Sequence, residues 1–136
     1  KFWEERYESI RYFEKHLANN GTTIIKIFLN ISKKEQKKRF LNRIDEQEKN
    51  WKFSLGDLSE RALWDEYMNA YEKAINETSK DHAPWFVIPG DDKWFARVAA
   101  IQIIIDALEG MDLKFPKLSA EDQKALESAR KQLESE

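Results

Sequence analysis

The sequence predicts an α/β fold that is mostly helical and contains two short parallel strands, as in the C-terminal part of a doubly wound parallel sheet. Residues 22–31 and 82–90 are short, apolar segments rich in residues that favour strands. Segments with helical periodicity lie before, between and after them, which gives the order α, β, α, α, β, α. Strands separated by helices pair in parallel through crossover connections. Because two strands are too few for such a sheet, we expect the C-terminal half of a larger domain.

The first part of the chain is expected to form a helix, a strand and a second helix. Apolar residues recur at helical spacing over residues 2–17, and Gly21 suits the left-handed conformation that often ends a helix. Residues 22–31 are apolar at nearly every position, as in a strand buried on both faces. Ser32 begins the S-x-x-E pattern of a capping box, which predicts a helix over residues 33–46.

The second part is expected to repeat this alternation. After a loop over residues 48–56, Asp57 and Glu60 can cap one long helix. The strand within residues 82–90 is bracketed by prolines, and a pair of aspartates after it can cap the next helix.

That last core helix is apolar around most of its circumference, so more than one neighbour has to cover it. Gly110 is expected to end it. We place a boundary after residue 116: residues 1–116 form part of one domain, and residues 117–136 form a polar tail in which a serine begins a helix.

The composition excludes several functional classes. The chain has 23 Lys and Arg against 25 Asp and Glu, a net charge of -2, so no overall field attracts nucleic acid or a membrane surface. Without cysteine it has no disulfide or thiolate metal site, and we expect a cytoplasmic location. No apolar run is long enough to span a membrane. His16 and His82 lack a nearby Ser or Cys nucleophile, which argues against a catalytic triad.

The basic stretch, residues 33–52, is the main candidate site. It contains eight basic and four acidic residues, a local net charge of +4. Arg39 and Arg43 are four residues apart and share a helix face, where two guanidinium groups can clamp a phosphate. By pattern alone, the commoner explanation is a solvated helix face with an ion pair between Glu35 and Arg39.

Two further features favour an anion site. The turn at Ser32 follows a strand directly, and open α/β sheets bind ligands at the carboxyl ends of their strands. The following loop adds Lys49 and Lys52 around an aromatic pair, Trp51 and Phe53. These two rings either anchor the loop to the core or contact a ligand, and the pattern leaves both alternatives open.

Asp91 and Asp92 are a weaker candidate. Paired carboxylates after a strand can bind a metal or act in acid-base catalysis, but capping of the next helix explains them better. No G-x-x-x-x-G-K-[ST] sequence occurs, so the chain has no backbone cradle for a nucleotide phosphate.

Three stretches carry a resemblance: "FLNISKKEQKKRFLNRI", "NWKFS…DL…R" and "APW..IP.D.KW". Over about residues 3–116 the chain resembles the C-terminal half of the polyphosphate kinase 2 family, within the phosphate-loop kinase superfamily. The resemblance implies phosphoryl transfer between inorganic polyphosphate and a nucleoside mono- or diphosphate, with Mg²⁺ and with no nucleic acid or membrane partner. We also expect a homo-oligomer.

The resemblance also implies roles for individual residues. A lid over about residues 33–56 would close on the substrates. The residues implied are catalytic Arg39 and Arg43 on the lid helix, polyphosphate-binding Lys49 and Lys52 on the basic loop, and nucleotide-binding Pro89, Asp91 and Lys93 after the second strand. No metal ligand is expected among the residues present.

In the family the phosphate loop and the Asp-Arg metal-binding strand precede the segment that Lys1 begins, and the sequence starts without an initiator Met. We therefore expect a fragment that is inactive alone. Two alternatives remain open: an ATP-dependent nucleotide kinase of the same superfamily, which would share the strand and the arginine-bearing lid, and a non-catalytic helical module that binds a partner through the apolar last helix.

Overall fold

A computed structural model describes residues 1–135. The predicted α/β class and the pair of parallel strands are confirmed. The elements in chain order are α1 (Phe2–Asn19), β1 (Lys26–Asn30), α2 (Lys33–Asp45), a 3-10 helix (Gln47–Lys52), α3 (Gly56–Ala62), α4 (Trp64–Thr78), β2 (Trp85–Pro89), α5 (Lys93–Gly110) and α6 (Ala120–Leu133).

The sheet pairs β1 with β2 in parallel, and Phe28 lies opposite Val87. On this face Phe28 packs against Tyr71 of α4, with ring centroids 4.9 Å apart. Because side chains alternate along a strand, Phe86 points to the other face, where it lines a cleft together with Ile103 of α5. The sheet therefore lies between α4 and α5.

The prediction that the first strand is buried on both faces is wrong for the described chain. Leu29 is 53% exposed and Val87 is 51% exposed. Both strands of a two-stranded sheet are edge strands, and one helix on each face covers only part of the surface. Apolar sheet surface therefore remains open on both faces.

Several predicted helix ends are confirmed. Gly21 has a positive φ of 85° just after α1. The Asp92 carboxylate caps α5 by accepting hydrogen bonds from the backbone of Trp94 and Phe95, at 2.8 and 3.1 Å. Ser119 caps α6 by accepting from the Asp122 backbone. Each of these signals acts within a few residues, so the sequence displays it directly.

Other predicted boundaries need correction. The loop over residues 48–56 contains a 3-10 helix, and the single helix expected after it is two helices that meet at Leu63. Asp57 accepts a hydrogen bond from the Ser54 backbone at 3.2 Å, so it closes a turn and α3 already begins at Gly56. Gly110 is the last residue of α5, and Asp112 is the residue with positive φ, at 46°.

A polar cluster that the sequence did not predict joins α1, α4 and the sheet. Both carboxylate oxygens of Glu14 accept from Lys26 Nζ, at 2.8 and 2.7 Å, and Lys26 also donates to the Thr78 carbonyl at 2.8 Å. Trp85 donates its indole N–H to the Thr78 hydroxyl at 2.8 Å. The Glu14 and Lys26 side chains are only 11% and 12% exposed.

The apolar helix α5 has the uncovered surface that its sequence predicts. Ala96 is buried, yet Trp94 is 73% exposed and Ile101 is 56% exposed. None of the helices within residues 1–135 combines the length and apolarity needed to cross a lipid bilayer.

Candidate functional site

The candidate site lies where both strands end. Gly90, the residue after β2, donates its backbone N–H to the Asn30 carbonyl at 2.7 Å and so extends the parallel pairing beyond the strands. The Ser32 backbone N–H donates to the Asp91 carboxylate at 2.7 Å. The chain segments that lead into α2 and α5 are therefore held side by side at the carboxyl edge of the sheet.

Only half of the predicted capping box at the start of α2 forms. The Ser32 hydroxyl accepts from the Glu35 backbone at 3.0 Å, as expected. The Glu35 carboxylate does not return the bond to Ser32, because it pairs with Arg39 Nε at 2.9 Å. Asp91 takes the place of Glu35 as acceptor for the Ser32 N–H. This hydrogen bond, together with the nearby Arg39 charge, holds the Asp91 pKa below its ordinary value.

Arg39 and Arg43 lie on consecutive turns of α2 but have different surroundings. Arg39 is 26% exposed and pairs with Glu35, and its Nη2 donates to the Gly90 carbonyl at 2.7 Å. The ion pair that the sequence pattern suggested therefore exists. Arg43 Cζ lies 5.6 Å from the Phe40 ring centroid, and within residues 1–135 its guanidinium makes no hydrogen bond or ion pair. Of the two, Arg43 is thus the arginine whose donors are all available to a ligand.

The loop after α2 is attached to that helix and carries its lysines outward. The Asn50 side chain donates to the carbonyls of Arg43 and Ile44, at 2.8 and 2.7 Å. These bonds satisfy carbonyls that the end of a helix leaves free. Lys49 forms an ion pair with Glu46, and both side chains are about half exposed. The loop therefore begins beside Arg43, which brings the predicted arginine and lysines into one region.

The two rings of the aromatic pair have different surroundings. Phe53 packs edge-on against Phe40 of α2, with centroids 5.9 Å apart, and so anchors the loop. Trp51 is 79% exposed, with Lys52 Nζ at 5.0 Å from its ring centroid. Trp51 and Lys52 together present an exposed cationic and aromatic surface.

An aromatic cleft of about 360 Å³ separates α2 from α3 and α4. Arg61 lines it and donates to the Lys33 carbonyl at 2.9 Å and to Gln36 Oε1 at 2.8 Å. Sequence reasoning did not select Arg61, although it is the arginine in the "NWKFS…DL…R" pattern. Tyr67, also in the lining, donates to Glu60, and this bond to a carboxylate raises the Tyr67 pKa.

Of the three residues predicted to bind the nucleotide, one is hydrogen-bonded to the start of α2. Asp91 joins α2 through Ser32, and its own carbonyl lies 3.5 Å from Arg39 Nη2. Pro89 is the exposed last residue of β2, and Lys93 is the exposed first residue of α5. No hydrogen bond or ion pair within the described residues joins Lys93 to α2.

The described residues contain no cluster of carboxylates that could by itself hold Mg²⁺. Divalent magnesium prefers several oxygen ligands, usually carboxylates and water. Asp91 and Asp92 are adjacent, but each carboxylate accepts backbone hydrogen bonds instead. Nowhere in residues 1–135 do three or more His, Cys, Asp or Glu side chains cluster.

Comparison with known proteins identifies the family. The Polyphosphate kinase 2 profile matches residues 1–116. The chain belongs to the polyphosphate kinase 2 family. It is 52% identical over 132 residues to an ADP-polyphosphate phosphotransferase of Rhodopseudomonas palustris, covering 97% of this chain and 46% of that protein.

The fold of a polyphosphate kinase 2 agrees with that of this chain. The crystal structure of Polyphosphate Kinase 2 from Arthrobacter aurescens TC1 has a TM-score of 0.82 and 49% identity, with 93% of this chain and 46% of that chain covered. The chain thus spans about half the length of these two family members. A relative from Leptolyngbya boryana, titled "Uncharacterized protein in chlN 3'region", is 49% identical with 98% of both chains covered.

Proposed function

We propose that this chain acts in phosphoryl transfer between inorganic polyphosphate and a nucleoside mono- or diphosphate, and that it contributes the basic lid over residues 33–56. The observation that carries the proposal is Arg43, a guanidinium that lies against the Phe40 ring and makes no hydrogen bond or ion pair in residues 1–135, on a helix that begins at the carboxyl edge of a parallel sheet. The relative from Rhodopseudomonas palustris is named for the same transfer.

The transferred phosphoryl group needs charge stabilisation and exclusion of water more than covalent help from the protein. Arg43 would supply a planar fork of donors that fits two phosphate oxygens at once. Arg39, the second predicted catalytic arginine, would lie one turn away in the same lid. Lys49 and Lys52 would attract phosphates further along the polymer, where a point charge suffices.

The other roles follow from the family. Pro89, Asp91 and Lys93 would border the nucleotide. We place the kinase domain at residues 1–116 and a separate tail at 117–136, in a cytoplasmic homo-oligomer. Mg²⁺ would neutralise phosphate charge during transfer, with ligands from outside residues 1–135, because the carboxylates described above are engaged by backbone groups.

The alternatives receive less support. An ATP-dependent nucleotide kinase would share the arginine-bearing lid, but the relative from Rhodopseudomonas palustris is named for polyphosphate. A non-catalytic helical module would use the exposed apolar surface of α5, yet this surface leaves the positive charge of the basic stretch unexplained.

Titration of the purified chain with polyphosphate tests the proposal. Because Trp51 is exposed beside Lys52, we expect binding to change the tryptophan emission, and a Trp51→Phe variant assigns the signal to this residue. Arg43→Gln and Lys52→Ala should weaken binding. Lys131→Ala, on the exposed tail helix, is the matched control and should bind like the parent. Equal affinity of the parent, Arg43→Gln, Lys52→Ala and Lys131→Ala for polyphosphate would refute the assignment of the site.

A further inference from the structure

Three hydrogen bonds cross between the two chain segments that leave the sheet. They run from Gly90 N–H to the Asn30 carbonyl, from Ser32 N–H to the Asp91 carboxylate, and from Arg39 Nη2 to the Gly90 carbonyl, each 2.7 Å long. We call these five residues the junction. Its members are 51 to 60 positions apart in sequence across each bond, so no single helix or strand requires these contacts.

Two of the three guanidinium nitrogens of Arg39 already donate within the protein. Its Nε pairs with Glu35 at 2.9 Å, while its Nη2 binds the Gly90 carbonyl. A bidentate phosphate contact through these two nitrogens would compete with both bonds and leave the partly buried Glu35 with only the more distant ammonium of Lys38, at 4.0 Å. Arg43, one turn further along α2, has no such obligation within residues 1–135.

We infer that Arg39 and Asp91 are positioning residues, which lock the first turns of α2 to the β2–α5 connection so that Arg43 is held at a fixed place relative to the nucleotide side. This inference rests on the proposed function and refines it, because it removes Arg39 and Asp91 from direct substrate contact. The lid helix and the connection after β2 then move as one body at their shared end.

The close approach at Gly90 supports this arrangement. Gly90 is buried, and a Cβ atom there would lie 2.8 Å from Ile31 Cγ2 and 3.4 Å from the Asn30 carbonyl oxygen. Any side chain would therefore push the two segments apart. At Gly110 an added Cβ meets nothing within 4 Å, so Gly110→Ala is a matched control for Gly90→Ala.

The hydrogen bond at Asp91 allows a test by conservative substitution. The Asp91 carboxylate acts here as an acceptor for one backbone N–H. The side-chain oxygen of asparagine can accept the same bond without the charge, whereas alanine cannot. If Asp91 instead worked through its charge on a nucleotide or a metal, the Asp91→Asn and Asp91→Ala variants would be impaired to the same extent.

Salt dependence separates a positioning arginine from one that touches phosphate. Each phosphate contact of a cation on a polyanion adds about one to the slope of log affinity against log salt concentration. We expect Arg43→Gln to reduce this slope by about one for polyphosphate binding. Arg39→Gln should lower the affinity roughly tenfold and leave the slope at the parent value, since it disturbs only the placement of Arg43.

The same titration with the other variants completes the test. Asp91→Asn should bind within about twofold of the parent, and Asp91→Ala should lose as much affinity as Arg39→Gln. Gly90→Ala should also bind weakly, and Gly110→Ala normally. A reduced slope for Arg39→Gln, equal losses for the two Asp91 variants, or equal binding by the two glycine variants would overturn the inference.

Hydrogen exchange distinguishes failure of this inference from failure of the proposed function. If the parent chain does not bind polyphosphate, the proposed function fails, but the junction is still measurable in the free protein. We expect Arg39→Gln and Asp91→Ala to speed exchange of the backbone amides of Glu35 and Gln36, which the Ser32 cap protects. Unchanged exchange in both variants would show that the junction does not position α2.

Discussion

Replacing Lys26 by methionine should be among the most destabilising single changes in this chain. The substitution keeps the length and apolar stem of the side chain but removes the ammonium group that binds both oxygens of Glu14 and the carbonyl of Thr78. The Glu14 side chain is 11% exposed, so water reaches its carboxylate poorly. Breaking a buried ion pair by removing one partner costs about 3–5 kcal/mol. That is a large fraction of the 5–15 kcal/mol that commonly separates folded from unfolded domains.

The double variant tests whether the cost comes from the unpaired charge. Glu14→Leu combined with Lys26→Met removes both charges and leaves only the Thr78 carbonyl without its donor, which costs about 1–3 kcal/mol. The double variant should therefore be more stable than Lys26→Met alone. Such non-additivity is the signature of two residues in direct contact.

Urea unfolding followed by far-ultraviolet circular dichroism measures these free energies. Arg130→Met provides the control, because Arg130 pairs with Glu134 on the tail helix and the two side chains are 80% and 61% exposed. Exposed pairs of this kind contribute about 0–1 kcal/mol. If Lys26→Met costs no more than Arg130→Met, or if the double variant is no more stable than Lys26→Met, the reasoning about the buried pair is wrong.

Three other predictions concern activity and pH. The purified chain should form no ATP from polyphosphate and ADP, since its sequence lacks a phosphate loop; a luciferase assay checks this, and measurable turnover would contradict it. In an enzyme reconstituted with a phosphate-loop half, Lys52→Ala should raise the KM for polyphosphate less at 0.5 M than at 0.05 M salt; an effect independent of salt would argue against long-range attraction. Because the Asp91 pKa is lowered from 3.8, its ionised carboxylate stabilises the folded chain above that pH, and this stabilisation is lost as pH falls below it. The Asp91→Asn variant should therefore lose less stability than the parent between pH 5 and 3, as measured by urea titrations. An equal loss in the two proteins would count against the Ser32 bond.

The parts of this fold that the sequence predicts are those decided within a few residues. The caps at Ser32, Asp92 and Ser119 each join a side chain to a backbone N–H two or three positions ahead, and all three form. The helix break at Leu63 was missed because the apolar spacing continues through it. On one side of the break Arg61 donates to the Lys33 carbonyl of α2, a contact that the local sequence does not display.

The predictions that failed or were absent involve partners distant in sequence. Lys26 lies in a segment that is apolar at nearly every position and predicts a buried strand, and nothing local indicates that Glu14, 12 positions earlier, faces it. Asp91 is one of two aspartates whose position predicts a cap on α5, but its carboxylate accepts from the start of α2, 59 positions away. A carboxylate after a strand predicts a hydrogen bond from a backbone N–H at a helix start. The packing of the two strands decides which helix start supplies that N–H.

The basic stretch shows how two competing interpretations can both describe one helix. A solvated face with an i,i+4 ion pair and a phosphate clamp were alternatives for the same two arginines. The structure realises the first at Arg39, whose guanidinium is shared between Glu35 and the Gly90 carbonyl. It leaves Arg43, the second of these two arginines, without a hydrogen bond or ion pair in the described chain. These outcomes are connected, because a clamp works only when its donors are held still, and the contacts of Arg39 are among those that hold α2 at the sheet edge. An arginine that is hydrogen-bonded within the protein, such as Arg39, is therefore as much a part of the proposed site as Arg43, which is not.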